Sequence, residues 1–116
     1  MVGEGIYRVE RMLAKPPAPY KRFPCVTPAW DNTARRKDGN ATILDNSTPQ
    51  LYERWLNIVV QRELASPRSE RIVFINAWNE WAEGNHPEPC QKWGHAYLEA
   101  TQRVFQTAHS RSKSDL

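Results

Sequence analysis

Cysteine is scarce in this sequence. The 116 residues include two, Cys25 and Cys90, 65 positions apart. They fit no metal-ligand spacing and no C-x-x-C redox motif. One disulfide between them stays open, but two isolated cysteines are expected to be reduced and buried. Long apolar runs are also lacking. The longest, Ile58–Val60 and Ile72–Ile75, fall far short of the roughly 18 residues a membrane span needs. Charge of one sign is missing too. Sixteen basic against thirteen acidic residues leave +3, too little to indicate a nucleic-acid partner. Met1–Gly5 shows no charged stretch leading into an apolar one, so no signal peptide is expected. Glycines number five, and there is no repeat and no low-complexity tract.

What is present is globular in character. Hydrophobic residues make up 40% and charged residues 25%, which excludes a wholly disordered chain. The length suits one domain of roughly 100–150 residues. Nine prolines and five tryptophans are many for this length. An indole face can cover the apolar face of a pyranose, or it can simply fill a core.

Periodicity predicts helix, strand, helix, strand, helix. Ile6, Val9, Met12 and Leu13 predict a short amphipathic helix over residues 6–14. A proline-rich connector, Lys15–Tyr20, follows. Phe23–Trp30 reads as extended between prolines that disfavour helix. Residues 31–47 read as a long polar loop, and loops of that length are usually functional. Thr48 as N-cap and Pro49 at the first helical position open the clearest helix. Its stripe is Leu51, Trp55, Ile58 and Val59, and Pro67 ends it. Arg71–Ala77 is the best strand, apolar enough to suit a strand covered on both faces. Residues 78–94 form a second polar and aromatic loop. A closing helix is expected from about His95 to Thr107, with a frayed tail after it.

Strands alternating with helices imply an α/β fold with parallel strands. Two parallel strands make a poor sheet. The expected architecture is therefore the C-terminal part of a (β/α)8 TIM-type barrel, with about two parallel strands and flanking helices. Residues 1–108 are assigned to that part and residues 109–116 to a disordered tail. The partner it calls for is the missing N-terminal part of the barrel.

In parallel α/β folds the reactive groups follow the carboxyl ends of strands. Two loops qualify here. One begins W-D-N-T at Trp30–Thr33 and continues through Arg35 and Arg36. The other begins W-N-E-W-A-E-G-N-H at Trp78–His86. Glu80 and Glu83 stand three apart beside Trp78 and Trp81; two carboxyls about 5–5.5 Å apart suit a retaining glycosidase, and a gap of about 6.5–9.5 Å suits an inverting one. Two solvated surface glutamates would give the same spacing. Glu80, Glu83 and His86, with Cys90 and His95 near, admit a metal reading, but they match no strong signature. Arg35-Arg36-Lys37 could meet an acidic sugar or a phosphate, or be a solvated loop. Asn40-Ala41-Thr42 and Asn46-Ser47-Thr48 are glycosylation sequons that matter only in a eukaryotic secretory pathway.

The string F-I-N-A-W-N-E-W-A-E-G-N-H-P-E-P at Phe74–Pro89, with K-W-G-H-A-Y-L-E-A at Lys92–Ala100, resembles the C-terminal signature of the WbsX-type glycosyltransferase family. That family is grouped with the glycoside hydrolase family 99-like proteins, which are (β/α)8 barrels. P-A-W-D-N-T-A-R-R at Pro28–Arg36 is similar to a second motif of the family. The resemblance covers most of residues 23–105. It implies a carbohydrate-active enzyme of bacterial surface polysaccharide metabolism, acting on an oligo- or polysaccharide.

Residue roles follow from the same resemblance. Glu80 matches the base that activates the sugar's own 2-hydroxyl. Glu83 matches the acid that protonates the leaving oxygen and then acts as base on water. Retention then runs through an anhydro-sugar. Trp30, Asp31, Asn32, Arg35, Trp78, Asn79, Trp81 and His86 are the expected substrate-binding residues. No cofactor and no metal is expected, and the location is expected to be cytoplasmic. The chain departs from the family at Pro87, Cys90 and Trp93, where leucine, aspartate and tyrosine are usual. A sugar transferase and a non-catalytic carbohydrate-binding remnant are the alternatives to a hydrolase.

Overall fold

A computed structural model describes residues 10–31, 47–67 and 69–114. The elements in order are strand β1 (Cys25–Val26), helix α1 (Pro49–Ala65), strand β2 (Phe74–Ile75), a 3₁₀ turn (Trp81–Glu83) and helix α2 (Ala96–Ser114). Of the first expected helix, residues 10–13 are helical, and the rest lies outside the described residues. So does most of the loop over residues 31–47.

The two strands pair in parallel, Cys25 with Phe74 and Val26 with Ile75. Phe74 N–H donates to the Pro24 carbonyl and Asn76 N–H to that of Val26, each at 2.9 Å. Both strands are shorter than their apolar runs. Pro28 brings no N–H to a ladder, and a short β1 leaves β2 little to pair with. Side chains alternate across a strand, and here the two faces differ. Val26 is fully buried, and Val73 and Ile75 pack on the core. Cys25, Ile72 and Phe74 are exposed on the other face. The expectation of a strand covered on both faces is therefore corrected: helices cover one face, and no third strand lies beside the pair among the described residues.

Helix α1 starts as its sequence dictates. The Thr48 hydroxyl accepts from Leu51 N–H at 3.2 Å, and Pro49 follows at the first helical position. Ser66 caps the far end before Pro67, its N–H bonded to the Glu63 carbonyl. The buried face, however, is Tyr52, Trp55, Leu56, Val59 and Val60. Leu51 and Ile58 are only half-buried, so the stripe lies further round the helix than expected. Helix α2 meets it with Tyr97, Ala100, Val104 and Ala108. The small Ala100 and Ala108 bring the two backbones close.

Contacts between the helices keep one sequence offset. Arg103 holds the Glu53 carboxylate through two bonds of 2.8 Å. Eight residues further on, Arg111 donates to the Gln61 side-chain oxygen at 3.0 Å. An offset of 50 at both places means that the helices run in the same direction. Two parallel strands backed by two parallel helices make a repeated strand–helix unit.

Of the tail expected to fray from His109 to Leu116, the described part is helical through Ser114. Ala108 is buried against α1, and Arg111 ties the last turns to Gln61. Thr107 and Ser110 return bonds to the Arg103 and Gln106 carbonyls. The cysteines are free, but Cys25 is exposed and Cys90 half-buried, which corrects the expected burial. No helix among the described residues is long and apolar enough to cross a membrane.

Candidate active site

Past the strand ends the two loops meet. Asp31 lies five residues after Val26, and Glu80 lies five after its register partner Ile75. Asp31 N–H donates to the Glu83 carbonyl at 2.7 Å. Both loops therefore sit at the carboxyl end of the sheet.

The segment from Glu80 to Asn85 closes into a ring. Glu80 N–H bonds the Asn85 carbonyl at 2.9 Å, and Asn85 N–H returns to the Glu80 carbonyl at 3.0 Å. Inside the ring Glu83 N–H reaches the Glu80 carbonyl at 3.1 Å and Gly84 N–H that of Trp81 at 3.0 Å. Gly84 turns the chain at φ 57°, a left-handed conformation that glycine adopts at no steric cost. The ring separates the two glutamates. Glu80 is exposed, whereas Glu83 is 4% exposed.

An aromatic wall stands beside the ring. The Trp81 and His86 rings stack with centroids 3.7 Å apart and planes 23° apart. The Trp81 indole N–H donates to Glu88 Oε2 at 2.8 Å. His86 Nδ1 lies 3.2 Å from the Glu88 carbonyl. Trp78 and Trp81 are each half-exposed, and the Trp78 carbonyl accepts from Glu88 N–H at 3.3 Å.

The expected substrate-binding residues thus divide. Trp78, Asn79, Trp81 and His86 lie on the second loop, with Asn79 exposed and His86 half-buried. Trp30 is half-buried and Asp31 exposed on the first loop. Asn32 and Arg35, with both sequons' asparagines, lie outside the described residues. No three His, Cys, Asp or Glu side chains gather as a metal-ligand set among the described residues. Cys90 Sγ instead accepts from Trp93 N–H at 3.3 Å, and His95 is exposed.

Two residues escape a reading of the sequence. Asn85 is fully buried with both side-chain amide atoms lacking a hydrogen-bond partner. Glu88 touches three of the expected binding residues. The left-handed turn at E-G-N is a local signal for Asn85, since the chain doubles back there. Nothing in the sequence joins Glu88 to an indole seven positions earlier.

The fold defines the class first: an α/β unit of parallel strands, with a carboxylate- and tryptophan-rich loop past its strand ends. Residues 6–101 match the family described as Glycosyltransferase WbsX, and the chain belongs to that family. It is 44% identical over 98 residues to proteins named uncharacterized protein WxcX from two strains of Xanthomonas campestris pv. campestris. The match covers 84% of this chain and 14% of each of those proteins. No solved structure matches the chain.

Proposed function

We propose that this chain is the C-terminal part of a glycoside hydrolase family 99-like (β/α)8 barrel. Residues 1–108 would carry its last strand–helix units, with α2 as the closing outer helix. The parallel strands, the parallel helices on one face and the uncovered apolar face on the other support that architecture. The protein forms or breaks glycosidic linkages in bacterial surface polysaccharide metabolism. Two free thiols, one of them exposed, suit the reducing cytoplasm.

The observation that carries the reading is the ring: it holds one glutamate in solvent and one enclosed, beside half-exposed tryptophans, where two strand-end loops meet. Glu80 takes the proton of the sugar's 2-hydroxyl as that oxygen attacks C1. Glu83 gives its proton to the departing glycosidic oxygen. The resulting anhydro-sugar opens when Glu83 takes a proton from the incoming hydroxyl and Glu80 returns one to the 2-oxygen. Two displacements at C1 retain its configuration. Substrate assistance of this kind is an exception to the glycosyl-enzyme route. Water as acceptor gives hydrolysis, and a sugar hydroxyl gives transfer. The family's description favours transfer.

The test uses the complete protein that contains this sequence. Glu80→Gln and Glu83→Gln should each lower turnover by about 10²–10⁴-fold. A substrate with a very good leaving group should partly rescue Glu83→Gln and leave Glu80→Gln unrescued. A 2-deoxy substrate should not turn over at all. Full activity on the 2-deoxy substrate would exclude the anhydro-sugar route.

A further inference from the structure

We propose that Glu88 is a positioning residue that sets the aromatic wall of the site, a role resting on the carbohydrate reading above. Three separate bonds converge on it. Its N–H donates to the Trp78 carbonyl at 3.3 Å, its carbonyl lies 3.2 Å from His86 Nδ1, and its carboxylate accepts the Trp81 indole N–H at 2.8 Å. One residue thus ties together Trp78, Trp81 and His86.

The carboxylate bond matters most. An indole N–H can only donate, and a half-exposed tryptophan on a short turn is otherwise held by packing alone. The 2.8 Å separation is that of a well-formed N–H···O bond. It fixes the rotation of the ring about its side-chain bonds. His86 then covers one indole face at 3.7 Å, and half of the Trp81 surface remains in solvent. The wall offers a sugar a ring already oriented, so binding loses less side-chain freedom. Glu88 does not itself touch the reacting atoms. It acts through Trp81.

The experiment uses the complete protein labelled with ¹⁵N-tryptophan, with Trp81→Phe to assign the indole signal. Glu88→Ala should move the Trp81 indole N–H resonance and speed its exchange with solvent. It should also weaken binding of methyl α-D-mannopyranoside by about tenfold, the worth of one such bond. Glu88→Gln keeps an acceptor oxygen and should restore both readouts to within about twofold. An unchanged indole signal in Glu88→Ala would overturn the proposal. So would a Glu88→Gln protein that behaves like Glu88→Ala, because charge and not positioning would then be at work. A moved indole signal with unchanged sugar affinity would overturn the recognition role. If the unmutated protein fails to bind methyl α-D-mannopyranoside, the carbohydrate reading on which the recognition role rests falls for this simple pyranoside. The indole signal alone still decides whether Glu88 holds Trp81.

Discussion

The uncovered face of the two-stranded sheet should make the isolated 116-residue chain associate without limit. Ile72 is 44% exposed and Phe74 55% exposed on that face. Full burial of such a side chain is worth about 1.5–3 kcal/mol. About half remains to be gained at each, so roughly 1.5–3 kcal/mol per chain. Two copies meeting face to face would gain roughly 3–6 kcal/mol, against an association cost of about 4–15 kcal/mol. The two side chains alone cannot hold a discrete dimer. Unpaired strand edges add backbone hydrogen bonds at each new contact, and edges regenerate as chains add. Growth to polydisperse species is therefore expected rather than a closed dimer. Light scattering coupled to size exclusion, over a concentration series, reads this directly. Ile72→Thr with Phe74→Thr places a β-branched strand former at both positions and should shift the population toward monomer. A wild-type monomer with a sharp thermal transition at high concentration would refute the reasoning. So would a double-threonine variant that aggregates as readily as the parent.

Two further outcomes are expected on that double-threonine background. Leu56 is fully buried in the centre of the core, and Leu56→Ala should lower unfolding stability by about 2–5 kcal/mol, measured by urea denaturation. Burial, helped by nearby Cys90 and Tyr52, pushes the Tyr97 hydroxyl up from 10.0 to about 12. The unfolded chain releases that proton first, so stability is intact below pH 10 and falls as pH climbs toward 12. The buried Tyr97 oxygen has no hydrogen-bond partner, so Tyr97→Phe should cost little at pH 8 and leave the variant the more stable protein at pH 11. Parallel pH profiles for the two proteins, by thermal melts, would contradict this.

The legible parts of the fold are those with local causes. Thr48-Pro49 announces a helix start because a hydroxyl acceptor and a missing N–H both belong to the first turn. The strand–helix alternation announces parallel strands, because the connection between them is long. The buried face of α1 is less legible. Apolar residues at 51, 52, 55, 56, 58, 59 and 60 form a stripe wide enough for two phases. Helix α2 chooses between them, since its buried Tyr97, Ala100, Val104 and Ala108 share one core with Tyr52, Leu56 and Val59. That choice lies about 50 residues away and has no local trace. The tail after His109 misled for the same reason: its composition is polar, but its anchor, Gln61, is distant.

At the site, the spacing of Glu80 and Glu83 is legible and their environments are not. A helical turn would set the two side chains on one face. The chain instead makes a 3₁₀ turn with Glu80 outside it, at φ −81° and ψ 67°. One carboxylate stays in water and the other goes inside. The ring from Glu80 to Asn85 carries its own hydrogen bonds, so its shape travels with the short sequence. Its placement against the first loop rests on the strand register and on the bond from Asp31 N–H to the Glu83 carbonyl. A slip of one residue between β1 and β2 would exchange the two faces of a strand. It would turn Val26 or Ile75 out of the core and move Asp31 away from Glu83. Two strands of two residues suffice because burial of Val26 and Ile75 on one side fixes that register. The core under the sheet and the meeting of the two loops beyond its strand ends therefore depend on the same pair of contacts.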